Sequence, residues 1–160
     1  MRFVDEVELH LHAGRGGRGA VSYRREAHVP LGGPDGGHGG CGGDIYFEAS
    51  SSMPTLLDLK SQRIYRAENG ASGGGSRKSG KNGNDIILKV PVGTIVTNVE
   101  TQEIIADLLE PGELVKVASG GKGGRGNVSF VTATRRAPDF AQDGLSGDVL
   151  RVFLSLKLIA

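Results

Sequence analysis

Gly75-Ser-Arg-Lys-Ser-Gly80-Lys81-Asn82 carries glycines and a lysine at the spacing of a phosphate-binding loop, where backbone amides and the lysine cradle a polyphosphate. That chemistry also needs Ser or Thr after the lysine to hold magnesium, with a strand before and a helix after to aim the amides. Here the residue is Asn82, and the tract lies between Glu68-Asn-Gly70 and Gly83-Asn84, which leads into a strand pattern. No nucleotide site is expected there. His38 and Cys41 are three apart, on one side of a three-fold helix, but two ligands without a third make no zinc site. His10 and His12 share their strand face with Glu6 and Glu8, which reads as a solvated polar face. Four scattered histidines offer no nucleophile–base arrangement, so no catalytic residue, cofactor site or metal site is assigned.

Charge is more informative. The formal net charge is +1, yet residues 12–28 carry +3, residues 70–84 carry +3 and residues 119–136 carry +4, leaving −9 for the rest. Three separated windows of one sign point to a polyanion, and nucleic acid is the commonest. One cysteine makes no intrachain disulfide, and neither a membrane-length apolar run nor a signal peptide is visible, so a cytoplasmic protein is expected.

The basic windows coincide with glycine. Gly32 to Asp44 reads GGPDGGHGGCGGD, eight glycines in thirteen residues, with Gly-Gly-X repeating from Gly36. A flexible linker gains nothing from a fixed period, and collagen needs the triplet over most of a proline-rich chain, whereas this one has 27 Gly and 6 Pro in 160 residues. Polyproline II has three residues per turn, so two glycines per triplet leave two faces of bare backbone that can pack on neighbouring backbone. The pattern recurs at Gly14–Gly19, Gly73–Gly83 and Gly120–Gly126. Gly36, Gly37, Gly39, Gly40, Gly42, Gly43, Gly120, Gly121, Gly123 and Gly124 are therefore expected to be structural.

Between these tracts the period changes to two. Val7/Leu9/Leu11, Ile45/Phe47/Ala49, Ile86/Leu88/Val90/Val92, Val115/Val117 and Val152/Leu154/Leu156/Leu158 alternate with polar residues as half-buried strands do. Shorter strands are expected at 95–99 and 103–108, joined as a hairpin, and near 64–67. Helix signals are confined to Ser52–Leu59, with Ser52 as a cap. The expectation is an all-β domain of about eight strands closed into a small barrel. Its strand-rich base covers about 1–12, 44–65, 85–118 and 148–160, and a glycine-rich bundle covers about 13–43, 66–84 and 119–147. Three excursions from one end would lay six polyproline II-like legs side by side.

Phe3-Val-Asp-Glu-Val7, Tyr23-Arg-Arg-Glu-Ala-His-Val-Pro30, Gly32–Asp44, Lys89-Val-Pro-Val-Gly-Thr94 and Gly120–Asn127 together resemble the amino-terminal domain of the Obg GTPases, over the whole chain. His38 stands where that pattern has an acidic residue, which bears on one local hydrogen bond. The resemblance implies a barrel base carrying six polyproline-type helices, followed beyond Ala160 by a GTPase domain that would hold GTP and magnesium. It also implies a role in large ribosomal subunit assembly, with a monomeric domain contacting ribosomal RNA and not itself catalytic. Arg24 and Arg25 would then lie at the first tip, Lys78 and Lys81 at the second, and Arg135 and Arg136 at the third, binding RNA phosphates. Arg15, Arg18, Lys122 and Arg125, inside the triplets, could equally brace the bundle. The other reading of the same cationic bundle is a docking or regulatory domain that sets the GTPase domain against acidic protein partners.

Overall fold

A computed structural model describes residues 3–24, 32–132 and 134–157. Eight strands occur among them: β1 (Phe3–His12), β2 (Ile45–Ser50), β3 (Ile64–Arg66), β4 (Ile86–Pro91), β5 (Thr94–Asn98), β6 (Ile104–Leu108), β7 (Leu114–Ala118) and β8 (Val149–Lys157). Alternation has its expected consequence in the longer strands. Val7, Leu9 and Leu11 of β1, Ile45, Phe47 and Ala49 of β2, and Val152, Leu154 and Leu156 of β8 are buried, and they join one hydrophobic core with Leu88, Val90, Val96 and Leu108. β5 and β6 form the antiparallel hairpin, with Val96 opposite Ala106.

The strands do not close into a barrel. They divide into a five-stranded sheet, β3-β1-β8-β5-β6, and a three-stranded sheet, β4-β2-β7, whose apolar faces share the core. Period two fixes which face of a strand is apolar but not which edges hydrogen-bond. Here two parallel pairs, β1 with β3 and β2 with β4, decide the matter. Strands leaving for the first two excursions lie together in one sheet, and strands returning from them lie together in the other.

That sorting sets the geometry of everything above it. His12, the last residue of β1, is level with Arg66 at the end of β3 and with Val149 at the start of β8. In the other sheet the first residue of β2, Ile45, is level with Ile86 starting β4 and with Ala118 ending β7. The three long excursions, residues 13–44, 67–85 and 119–148, therefore leave and re-enter each sheet at one end.

The short helix differs from its sequence reading. α1 (Leu57–Lys60) is a single turn with no side-chain cap, and Ser52 instead lies 2.8 Å, hydroxyl to hydroxyl, from Ser50. Asp5 of β1 organises this segment. Its carboxylate accepts hydrogen bonds from the Thr55 hydroxyl at 2.6 Å and the Leu56 amide at 2.8 Å, and it pairs with Lys60 Nζ at 2.6 Å. Burial pushes the Asp5 carboxyl up, but the bonds from Lys60, Thr55 and Leu56 and the lysine charge outweigh it and bring it down to about 2. A depressed folded value stabilises the fold above the unfolded pKa of about 4 and loses that contribution as pH falls through about 2. Asp5→Asn should cost about 2 kcal/mol at neutral pH, and its deficit against the parent protein should shrink as urea melts are taken from about pH 4 toward 2.

Candidate nucleic-acid interface

The six legs hold one another by backbone hydrogen bonds that repeat every three residues. Gly14, Gly17 and Ala20 donate to the carbonyls of Gly43, Gly40 and Gly37, at 2.8 to 2.9 Å, while Ala13, Gly16 and Gly19 donate to Asp148, Leu145 and Gln142, each at 2.9 Å. Gly37, Gly40 and Gly43 pass the pattern on to Gly74, Ala71 and Glu68, and Gly39 and Gly42 pass it to Gly124 and Gly121. Donation runs in closed rings: 13–20 donates to 36–43, which donates to 119–127, whose Gly121, Gly124 and Asn127 donate back to Gly14, Gly17 and Ala20. A second ring runs from 36–43 through 67–74 to 78–84 and back, closed by Gly80 and Gly83 on His38 and Cys41.

The glycines make this approach possible. A Cβ on Gly39 would meet the Gly17 carbonyl and one on Gly40 the Lys81 carbonyl, so the two glycines of one triplet face different neighbours. The same holds along the run: Gly36 against Ala20 and the Asn127 side chain, Gly37 against Lys78, Gly42 against Gly14, and Gly43 against Asn84. On the partner leg Gly120 faces Gly42, Gly121 faces Leu145, Gly123 faces Gly39 and Gly124 faces Gln142. Each contact falls well inside van der Waals distance. The described glycines with positive φ, Gly93 and Gly112, are both in the base, so these legs use glycine for its missing side chain and not for its conformational freedom.

The third residue of each triplet is exposed, which strings Arg15 and Arg18, His38 and Cys41, and Lys122 and Arg125 along the outside of their legs. Arg18 pairs with Asp143 at 3.5 Å, and Arg15 Nη2 donates to the Gly144 carbonyl at 3.4 Å. His38 Nδ1 accepts a hydrogen bond from the Gly126 amide at 3.0 Å. Imidazole thus supplies the acceptor at this position.

At the distal end the first excursion narrows to an arm in which Tyr23 bridges Pro34 and the Arg24 amide donates to Gly33 at 2.9 Å. Arg24 is exposed at the end of this described stretch, and Arg25 lies outside the described residues. The second excursion turns at Ser76 and Arg77, with φ of 56° and 58°, and Lys78 follows directly. Lys81 is not at that tip: it sits one triplet back along the return leg, exposed, with its carbonyl accepting from Ala71. Arg77 takes the apex, and its amide donates to Asp35 on the first arm at 2.6 Å. Arg135 and Arg136 are exposed in the third tip, where Arg135 lies 5.3 Å above the Phe140 ring, itself 4.8 Å from Phe130. No carboxylate among the described residues pairs with Lys78, Lys81, Arg135 or Arg136.

Sequence reasoning missed the residue that ties the first and third excursions together. Asn127 is fully buried; its Oδ1 accepts from the Gly36 amide at 2.8 Å, and its Nδ2 donates to the carbonyls of Ser22 at 3.1 Å and Pro138 at 3.0 Å. The Tyr23 hydroxyl adds a 2.8 Å bond to the same Pro138 carbonyl. An asparagine directly after the last glycine of a triplet run is the available signal, since its amide can continue the backbone pattern with side-chain atoms.

The GTP1/OBG family model matches residues 4–158, nearly the whole chain. This chain belongs to the GTP1/OBG family. It is 52% identical over its full length to a protein named GTPase Obg from Chlorobaculum parvum, covering 48% of that protein, and 51% identical to the GTPase Obg of Persephonella marina, covering 47%. The GTPase Obg of Clostridium beijerinckii is 50% identical over 99% of this chain and 37% of its own length. The chain thus spans about half or less of these relatives.

The family name raises the question of GTP, and residues 75–82 do not fit its phosphates. They form a turn continuing into a leg instead of opening a helix, and the amides of Arg77, Lys78 and Gly80 are already given to the carbonyls of Asp35, Gly75 and His38. Calorimetry on this chain should accordingly show no saturable GTP binding at micromolar concentration. No described helix is long and apolar enough to cross a membrane, and no three described His, Cys, Asp or Glu residues are grouped to hold a metal.

Proposed function

We propose that this chain is the ribosome-contacting domain of an Obg-type GTPase, binding RNA of the large ribosomal subunit during its assembly through the basic tips. GTP and magnesium belong to a GTPase domain outside this chain, and the present residues perform no hydrolysis. The legs are polyproline II-type helices in this reading, consistent with donors and exposed side chains that both recur every three residues. What supports the proposal is the arrangement of the excursions: they are rooted at one end of each sheet, and Lys78, Arg135 and Arg136 are exposed far along them, with Arg24 exposed where the described part of the first arm ends, Arg25 adjacent in sequence and Lys81 one triplet behind Lys78. Arginine binds phosphate through two parallel bonds and stacks on unpaired bases, and the exposed Phe140 beneath Arg135 offers a further stacking face.

Rigidity is the other half of the proposal. Backbone-to-backbone packing immobilises no long side chains, so the tips are presented at little entropic cost on binding. Co-sedimentation with large ribosomal subunits tests the reading. Particles should retain the chain, and digestion of their RNA should release it. Retention on the protein remnant after digestion would instead favour a docking partner with an acidic protein face.

A further inference from the structure

Where the legs join the sheets, a side pocket of about 310 Å³ is lined by residues of three segments, among them His12, Arg15, Arg66, Asn69 and Ser146. Arg66 ends the edge strand β3, level with His12, and Arg15 is the first exposed triplet residue of the adjoining leg. Both arginines are exposed, and no carboxylate among the described residues pairs with either. The acids nearest in sequence are turned elsewhere. Glu68 accepts from the Asn84 amide, and Asp148 accepts from the Ser119 amide. One triplet further out the situation reverses, since Asp143 lies beside Arg18.

Two further polar side chains in the lining can donate. Asn69 Oδ1 accepts the Arg15 amide at 2.8 Å, which leaves its NH2 group to donate, and Ser146 adds a hydroxyl. Burial, with Arg66 and His10 nearby, holds the His12 imidazole below its ordinary value, in keeping with local positive charge. Two uncompensated guanidinium groups with an amide and a hydroxyl suit a compact oxyanion, which accepts hydrogen bonds and donates few.

We infer that this junction pocket is a phosphate-binding site in which Arg15 and Arg66 hold the anion and Asn69 and Ser146 orient it. The phosphate is either a free ion or one group of an RNA backbone that continues along the side of the bundle. The site stands independently of the tips.

Nuclear magnetic resonance on the chain tests this. Inorganic phosphate should shift the Asn69 and Ser146 amide signals saturably at low-millimolar concentration, and Arg66→Gln and Arg15→Gln should each weaken that response at least about tenfold. Lys89→Gln, on the opposite sheet, and the Arg135→Ala/Arg136→Ala double variant should leave it unchanged, which separates the pocket from the tips. A short single-stranded RNA supplies the second arm. If it moves the same two signals at much lower concentration than phosphate, a backbone phosphate is the source; if only inorganic phosphate moves them, the ligand is a free anion. Non-saturating shifts shared equally with Lys122 and Arg125, or an undiminished response in both arginine variants, would overturn the site.

Discussion

Adding one methyl group at Gly39 or Gly40 should unravel the glycine layer while the two strand sheets stay folded. The Gly39 Cβ would enter the Gly17 carbonyl and the Gly40 Cβ the Lys81 carbonyl, and in both cases the obstacle is backbone that cannot swing aside as a side chain can. Moving either leg away also breaks hydrogen bonds, because Gly39 donates to Gly124 and Gly40 to Ala71. Overpacking costs roughly 1–3 kcal/mol in an ordinary core, and here it is joined by lost backbone bonds of about 1 kcal/mol each. Opposing this, Gly→Ala restricts the unfolded chain and stabilises by roughly 0.4–1 kcal/mol. Overlap wins, with a net cost of about 3 kcal/mol. Gly33→Ala is the control, since a Cβ there meets nothing within 4 Å. Hydrogen exchange should accelerate at the amides of residues 14–20, 37–43, 70–74 and 121–127 in Gly39→Ala and Gly40→Ala, but not in Gly33→Ala. Exchange in β1, β2 and β8 should stay slow, because their core does not use these contacts. Unchanged exchange in both leg variants would mean the close packing is not what orders the layer.

Local periodicity made some of this architecture legible. Val7, Leu9 and Leu11 declare the inner face of β1 because alternation is a property of the strand itself, and the β5–β6 hairpin follows from short range in the same way. The double glycine declares bare faces, and both glycines of a triplet turn out to face inward because each leg at the centre has neighbours on several sides. What stayed hidden depends on partners far away in the chain. Whether β3 pairs with β1 or closes a barrel is decided by edge against edge, and the three residues of β3 carry no mark of it. Asp5 looks like any strand acid until Thr55, Leu56 and Lys60 arrive fifty residues later. Asn127 is equally plain until Ser22, Gly36 and Pro138 converge on it. Lys81 falls a triplet behind the tip for a smaller reason: the turn consumes Ser76 and Arg77 in left-handed conformations, so the return leg begins at Lys78.

If the tips bind RNA as proposed, affinity for large ribosomal subunits should fall steeply with salt. Contact of Arg24, Arg25, Lys78, Lys81, Arg135 and Arg136 with about six phosphates would release their condensed counterions, giving a log–log slope of roughly −4 to −5. Changing Arg135 and Arg136 together to Ala should flatten that slope by about 1.5 and weaken binding most at low salt. The fold should tolerate the change. Both side chains are exposed, and the loss above Phe140 is a surface cation–π contact of roughly 0.5–1 kcal/mol. The comparison that gives the result meaning removes equal charge from the base. Lys60 is unsuitable because it neutralises the mostly buried Asp5, and Lys116 lies 4.0 Å from Asp44; Lys89 and Arg151 are exposed and take part in no ion pair among the described residues. Lys89→Ala/Arg151→Ala should leave both slope and affinity nearly unchanged. If base and tip variants weaken binding alike, attraction is set by total charge, and insertion of the tips into RNA is wrong. If neither has any effect while the chain still co-sediments, the contact is not made by these cations at all, and the docking face must be sought elsewhere on the bundle.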